Sequence, residues 1–270
     1  MPTITENKQI WDGNYRWDGR GDEWSAPWGG TEMQWYGMIL PRIQRLIPAD
    51  CIVEIACGFG RWTQFLKNQC KELVAIDLSE ECISACRERF AHDSHVECHV
   101  NDGKSLSMVS DASANLVFSF DSLVHVDRTV LESYISQLSR ILTADGAAFI
   151  HHSNLGEYQS LYSRVRRVPK LEGALRKIGV LERTLHWRDF SVSAGVVEEI
   201  AARHGMKCIS QEIVPWRTKR FQIDCFSTLV KAGSPLDRKN VVYRNRSFMK
   251  EASSLARLAP LYMSPEPPPS

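Results

Sequence analysis

Glu54, Gly58, Gly60 and Asp77 are the residues whose types and spacing point most directly to ligand chemistry. They lie in and just beyond the stretch CIVEIACGFGRWTQFL, residues 51–66. Its apolar run, Ile52, Val53 and Ile55, is too short for a helix; it carries Glu54 and breaks into Ala56-Cys57-Gly58-Phe59-Gly60 before RWTQFL opens a helix. A buried parallel strand, a tight glycine turn and a helix N-terminus in that order form the opening of a nucleotide-binding α/β sheet. Glycine there admits a ligand close to the backbone, because no Cβ stands in the way. The next apolar run, Leu73-Val74-Ala75-Ile76, ends in Asp77, an acid at a strand tip that can accept both hydroxyls of a ribose. A dinucleotide fingerprint would require a third small residue three positions after Gly60, and that residue is Thr63. A pyrophosphate is therefore not the ligand this turn favours.

A second set of residues could move protons. Leu116 to Phe120 reads as a strand and runs into Asp121-Ser122-Leu123-Val124-His125, and the strand Ala147 to Ile150 runs into His151-His152-Ser153-Asn154. A histidine at a strand end can take a proton from a hydroxyl near neutral pH, and His125 ranks before His152 for that task. Either ring could equally serve only to hydrogen-bond a loop carbonyl. Asp121 and the histidines could instead bind a divalent metal that acidifies vicinal hydroxyls, although no pair of acids at ligand spacing supports this and no metal is assigned. His92, His95 and His99 lie near the start of the third strand, away from these tips, and are read as structural.

Strands and helices must alternate to bring these tips together. After Thr31 to Leu46, a helix with Pro41 marking a kink or break, come the strand ending at Ile55, the strand ending at Asp77, and a helix from Glu80 to Phe90 capped by Ser79. The strand Val96 to Val100 then ends in Asn101-Asp102-Gly103, a pair common in turns. The strand Leu116 to Phe120 follows, then a helix from about Thr129 to Leu142, the turn Ala144-Asp145-Gly146, and the strand Ala147 to Ile150. Five such alternations predict a doubly wound sheet with ligands above the carboxyl ends of its first and fourth strands. Ser193 to His204 is a further amphipathic helix stopped by Gly205, and Cys208 to Val214 and Phe221 to Val230 are two last strands.

Three stretches stand outside this alternation. Residues 1–46 include a segment with five of the eight tryptophans, broken by glycines, which packs over the sheet, lids the site, or does both. Residues 155–190 carry Arg164, Arg166, Arg167, Lys170, Arg176, Lys177, Arg183 and Arg188 against few acids, a helical cap insertion that is either a solvated face or a contact for an anionic acceptor. The core occupies 47–154 and is completed by 191–232, and 233–270 reads as a polar tail whose EPPPS end can hardly pack. At 270 residues this is one α/β domain with additions. Thirty-three Lys and Arg balance 32 Asp and Glu, so no global field recruits nucleic acid or a membrane surface. Eight cysteines without paired CxxC spacing read as buried thiols of a reducing compartment, and Cys82 and Cys86 alone make no zinc site. No signal-like or membrane-spanning apolar run is seen, so a soluble, cytoplasmic protein is expected.

The first motif, with its acid at Asp77, resembles that of class I S-adenosylmethionine-dependent methyltransferases, E-x-G-x-G-x-G followed by an acid closing the second strand. Ala56 replaces the first glycine. The resemblance implies a Rossmann-like seven-stranded sheet, mostly parallel, with an antiparallel terminal hairpin, and S-adenosylmethionine as cofactor with S-adenosylhomocysteine as product. It places Glu54 towards the methionine amino group, the turn from Ala56 through Cys57 and Gly58 to Gly60 beside the cofactor, Asp77 on the ribose and Asp102 on the adenine. Trp62, Leu78, Gly103 and Phe120 belong to the same set of implied contacts, and Asp121, His125 and His152 to the catalytic side. The preamble WDGNYRWDGRGDEWSAPWGG, with FSFDSLVHV and FIHHSNLG, is similar to bacterial methyltransferases of surface-polysaccharide and sugar pathways, implying O-methylation of a sugar hydroxyl. The acceptor would be a small molecule or glycan, with an anionic group or not, and the arm could mediate a homodimer.

Three other readings stand beside it: a natural-product O- or N-methyltransferase, a nicotinamide-dependent oxidoreductase or epimerase, and a non-catalytic binding module. The oxidoreductase is disfavoured by the absent third glycine and by the lack of a Tyr-x-x-x-Lys pair after the fourth strand. The intact Glu54, Gly58, Gly60 and Asp77 argue against the module.

Overall fold

A computed structural model describes residues 3–177, 187–216 and 221–262. Eight strands form one sheet: β1 (Ala49–Ile55), β2 (Cys70–Asp77), β3 (Val96–Val100), β4 (Ala114–Ser119), β5 (Leu142–Ser153), β6 (Met206–Val214), β7 (Asp224–Lys231) and β8 (Val241–Arg244). Their order is β3-β2-β1-β4-β5-β7-β6-β8, so the strand order reverses between β1 and β4. The pairs among β1 to β5 are parallel, β7 is antiparallel to both β5 and β6, and β8 is parallel to β6. The doubly wound sheet and the antiparallel β6–β7 hairpin are thus present.

The central strands are buried on both faces, which is why they read as apolar runs rather than alternating patterns; Ile52, Val53 and Ile55 of β1 are all buried. One face of the sheet packs against α5 (Arg128–Ile141) and α8 (Ala194–Arg203). Leu131, Tyr134, Ile135, Leu138 and Ile141 recur at helical spacing on α5 and bury a single stripe. Asp127 starts this helix by accepting from the Val130 amide at 2.9 Å. The other face takes Trp35, Met38, Ile39 and Ile43 of α2 (31–43) and Phe248 and Ala252 of α9 (Phe248–Tyr262). The remaining helices of this half are α1 (Ile4–Gln9), α3 (Thr63–Leu66) and α4 (Glu80–Arg89), the last capped by Ser79, whose hydroxyl accepts from the Cys82 amide at 3.0 Å.

Four expectations change. The sheet has eight strands rather than seven, because Val241–Arg244 of the supposed polar tail pairs with β6, and the same stretch carries α9. Phe248 and Ala252 are fully buried, so the tail adds to the core; EPPPS lies outside the described residues. The turn at Ala144-Asp145-Gly146 is absorbed into β5, where the pairing with β4 shifts register between Ala114 and Leu116. Pro41 neither kinks nor breaks α2 after Leu40. Instead the helix widens into a π turn over Trp35–Ile39, which accommodates a ring that would crowd the carbonyl four residues earlier.

After β5, α6 (Gln159–Arg166) and α7 (Pro169–Lys177) form the described part of the basic insertion, and Arg183 lies outside the described residues. Among the described residues no helix is long and apolar enough to cross a membrane. The N-terminal arm runs from α1 along residues 10–28 and rests on α9, where a Cβ on Gly29 would sit 2.6 Å from the Ala259 Cβ.

Candidate active site

The loop after β1 is bound to β2 through its backbone. The amides of Ala56 and Cys57 both donate to the Ile76 carbonyl, at 2.7 and 3.1 Å. That closure turns Ala56 to φ 60° and Gly58 to φ 57°, a left-handed conformation that costs glycine little and alanine more. The Gly58 amide then donates to Asp77 Oδ2 at 2.9 Å, and the Ser79 amide to Oδ1 at 2.9 Å. Asp77 is 6% exposed; burial raises its pKa, and the donors from Ser79 and Gly58 pull against the rise. Gly60 has another use: a Cβ there would meet the Phe90 ring at 2.5 Å, so this glycine lets α4 approach the loop.

Above the tips of β1, β2 and β4 lies a cavity of about 290 Å³. The N-terminal arm forms its roof. Trp11, Tyr15, Trp17 and Trp24 pack with ring centroids 5.0 to 5.8 Å apart, and Trp17 stacks flat on Phe59 at 4.4 Å. Asp12 anchors the roof by accepting from the Ser79 hydroxyl. Arg61 extends from the glycine loop between Trp24 and Trp62, its guanidinium carbon 5.1 and 4.5 Å from the two ring centres, and Nη2 lies 3.1 Å from Asp121 Oδ2.

The far wall is a chain of polar contacts, partly exposed at His125 and Trp187 and buried at Asp224. His125 Nδ1 lies 3.0 Å from the Trp187 carbonyl, so this nitrogen carries the proton and Nε2 is left as the acceptor. Burial and then the nearby Arg188 charge push the imidazole down to about 4, so the ring is neutral at neutral pH. Asp224 accepts from Arg188 through both oxygens, at 2.8 and 2.7 Å, and its Oδ2 also lies 3.1 Å from His151 Nε2. Burial would raise this acid, but the Arg188 charge and the hydrogen bonds from Arg188 and His151 outweigh it and hold the carboxyl well below the ordinary range. His151 Nδ1 accepts from the Asp121 amide at 3.1 Å.

Ala56, Cys57, Gly58, Trp62, Asp77, Leu78, Gly103, Phe120, Asp121 and His125 all line the cavity. Four named residues do not. Glu54 is 1% exposed and takes the Thr63 hydroxyl at 2.6 Å, its carboxyl pushed up to about 8 by burial. Gly60 faces α4. Asp102 is exposed and caps a turn, accepting from the amides of Lys104 at 3.0 Å and Ser105 at 2.7 Å, so the side chain anticipated on the adenine is directed elsewhere. His152 is fully buried, with Nδ1 2.8 Å from the Ser153 carbonyl and Nε2 2.7 Å from the Ser227 hydroxyl; both nitrogens are engaged within the sheet, and the second choice of base is corrected on that ground. Sequence reasoning missed Arg61, Trp187, Trp216 and the His151–Asp224–Arg188 network. Only Arg61, next to the glycine turn, gave a local signal. Among the described residues no group of three or more His, Cys, Asp or Glu is arranged to hold a metal ion.

The cavity fits an amino-acid-bearing nucleoside. Gly58 bares its backbone at the Asp77 carboxylate, suited to ribose hydroxyls. Two buried donors on the lining residues, Arg61 Nη1 and Trp62 Nε1, have no partner and suit a carboxylate; the buried Asn7 Oδ1 has none either.

Residues 52–146 match the family model described as a methyltransferase domain. No curated protein matches the chain. Solved structures share the fold. Geranyl diphosphate C-methyltransferase from Streptomyces coelicolor A3(2) aligns with TM-score 0.58 at 14% identity, over 86% of this chain and 99% of that one. Magnesium protoporphyrin IX methyltransferase from Synechocystis PCC 6803, with S-adenosylhomocysteine bound, aligns with TM-score 0.56 at 14% identity, over 85% and 100%. An S-adenosylmethionine-dependent methyltransferase from Clostridium acetobutylicum aligns with TM-score 0.53 at 13% identity, over 84% and 98%.

Proposed function

We propose that this chain, an S-adenosylmethionine-dependent methyltransferase, methylates a hydroxyl of a sugar or glycoconjugate, with His125 as the base. The observation that carries the reading is the state of His125: Nδ1 is held by the Trp187 carbonyl and the ring is neutral, leaving Nε2 to accept a proton beside the cavity. When bound, the cofactor supplies a methyl group already activated by sulfonium charge. The protein's task is then to align the attacking hydroxyl, exclude water and remove one proton. Ala56, Cys57, Gly58, Asp77, Leu78 and Gly103 hold the cofactor side, and the aromatic roof excludes water. His125 accepts the hydroxyl proton, and Asp121, fixed by Arg61, orients the acceptor. Indoles of Trp11, Trp24, Trp187 and Trp216 line the cavity with flat apolar surface, which suits the C–H face of a sugar ring. The basic residues of 155–190 other than Arg188, which Asp224 holds, support an anionic group on that acceptor. All eight cysteines are free, which supports a cytoplasmic site of action.

The test is transfer of radiolabelled methyl to a panel of sugars, nucleotide-linked sugars, phenols and amines, with wild type and His125→Ala. Labelled sugar with a rate at least a hundredfold lower in the variant is the expected result. Label on amines or phenols alone overturns the acceptor, and an undiminished rate in His125→Ala overturns the base.

A further inference from the structure

We infer that Asp224, on β7, is a positioning residue that fixes two parts of the acceptor wall at once: the backbone of Asp121 through His151, and the tautomer of His125 through Arg188 and Trp187. The inference rests on the reading of His125 as base.

Asp224 is 0% exposed and stands at the cavity end of β7, opposite Ser153 of β5. Its contacts divide into two arms. On the first, Oδ2 takes the proton of His151 Nε2 at 3.1 Å, which leaves Nδ1 as an acceptor for the Asp121 amide at 3.1 Å. A neutral imidazole can do both only in one tautomer, and the carboxylate selects that tautomer. On the second arm, Arg188 Nε and Nη2 form a fork onto the two oxygens at 2.8 and 2.7 Å. The fork holds the chain at 187–188, so that the Trp187 carbonyl meets His125 Nδ1 at 3.0 Å.

Backbone geometry at the ends of both arms supports the assignment. Asp121 has φ 62° and Trp187 φ 57°, left-handed values that a residue with a Cβ keeps only where its surroundings over-determine it. Each is separated from Asp224 by one intervening residue, His151 or Arg188, and each lines the cavity. The carboxylate lies among Arg188 and His151 and away from solvent. The separations in sequence, 73 residues to His151 and 36 to Arg188, explain why no motif displays it.

Histidine tautomers can be read without an acceptor, from long-range proton–nitrogen correlations of 15N-histidine-labelled protein. The His125 signal is assigned as the one lost in His125→Gln. Wild type should show His125 protonated on Nδ1 and His151 on Nε2. Asp224→Asn should turn both rings into mixtures of tautomers. Since that variant removes the carboxylate gripped by the buried Arg188 fork and could fail to fold, Asp224→Asn/Arg188→Met is measured as well. His152, bonded to Ser227 and the Ser153 carbonyl, serves as an internal control. Mixed His125 and His151 tautomers with an unchanged His152 in the double variant support the inference. A single, unchanged His125 tautomer overturns it, and so does loss of the His152 signature together with the others, which marks a general loss of structure. An active His125→Ala enzyme would remove the base and leave the tautomer result standing, so the two failures are separable.

Discussion

The half of the cavity proposed for the cofactor and the half proposed for the acceptor are built in different ways. At the tips of β1 and β2 the work is done by backbone: three amides, of Ala56, Cys57 and Gly58, and one carboxylate at a strand end, all within 22 residues of sequence from Ala56 to Asp77. Beyond β4 it is done by side chains that meet across long stretches of chain: His125 with Trp187, separated by 62 positions, and His151 with Asp224, separated by 73. A backbone cradle depends on one turn, whereas a side-chain network depends on the whole sheet being assembled. Damage in the second half should therefore act through charge and tautomer, and in the first through shape.

The largest expected effect breaks the acceptor half. Asp224→Asn removes the carboxylate that Arg188 grips through both oxygens in a buried site and should cost about 3–5 kcal/mol. At about 2–4 °C per kcal/mol for a chain of this size, calorimetry should show a clear drop in Tm. The double change with Arg188→Met should recover most of it.

Acid should find the same half next. His125 and His152 both have pKa values depressed by burial to about 4, so the unfolded chain binds protons that the folded one refuses as pH falls from about 6.5 to 4. Stability should fall through that window by about 3 kcal/mol from His152 alone, and Asp224 adds to the loss at still lower pH. Glu54 works in the opposite sense. Raised to about 8, it gives up stability as pH climbs from about 4.5 to 8. The two slopes oppose each other between about pH 4.5 and 6.5, so urea denaturation across pH 4 to 8 is compared between wild type and Glu54→Gln, and a flat profile below pH 6.5 in the variant would mean that the two rings are not held neutral.

Gly58→Val tests the cofactor half. A Cβ there meets the Trp17 indole at 3.3 Å on a backbone at φ 57°, so strain and crowding combine to about 2–3 kcal/mol. S-adenosylhomocysteine affinity by calorimetry should fall about a hundredfold, while the histidine tautomers stay as they are. The smallest effect is at the roof. Trp17→Ala removes one stacked pair with Phe59, about 1 kcal/mol, and should weaken S-adenosylhomocysteine about fivefold.

This division also explains what could be read in advance. Gly58, Asp77 and the strand order around them were legible because each follows from local pattern: an apolar run, a turn, an acid at a tip. Asp121 and His125 were legible as strand-end residues, although their partners were not. His152 was misjudged because a strand-end histidine can point into the sheet as readily as out of it, and Ser227, which holds it, is 75 residues away. Asp102 followed its turn chemistry rather than the family position. Asp224 gave no signal, and Arg188 only its place among the basic residues of 155–190, since an acid entering one strand and an arginine closing a basic insertion become a pair only after β7 has docked on β5. The eighth strand was missed because Val241, Val242 and Tyr243 form a short exposed edge, too brief to carry a pattern.

The two ends of the described chain are fastened to each other. Gly29 and Gly37 lie so near Ala259 and Leu255 that a methyl group on either would sit 2.6 Å from its neighbour. The residues that roof the cavity therefore borrow their foothold from a helix more than two hundred positions downstream. Removal of 248–262, a deletion far from any reacting atom, would slacken the aromatic cover and admit water to the methyl-transfer chamber.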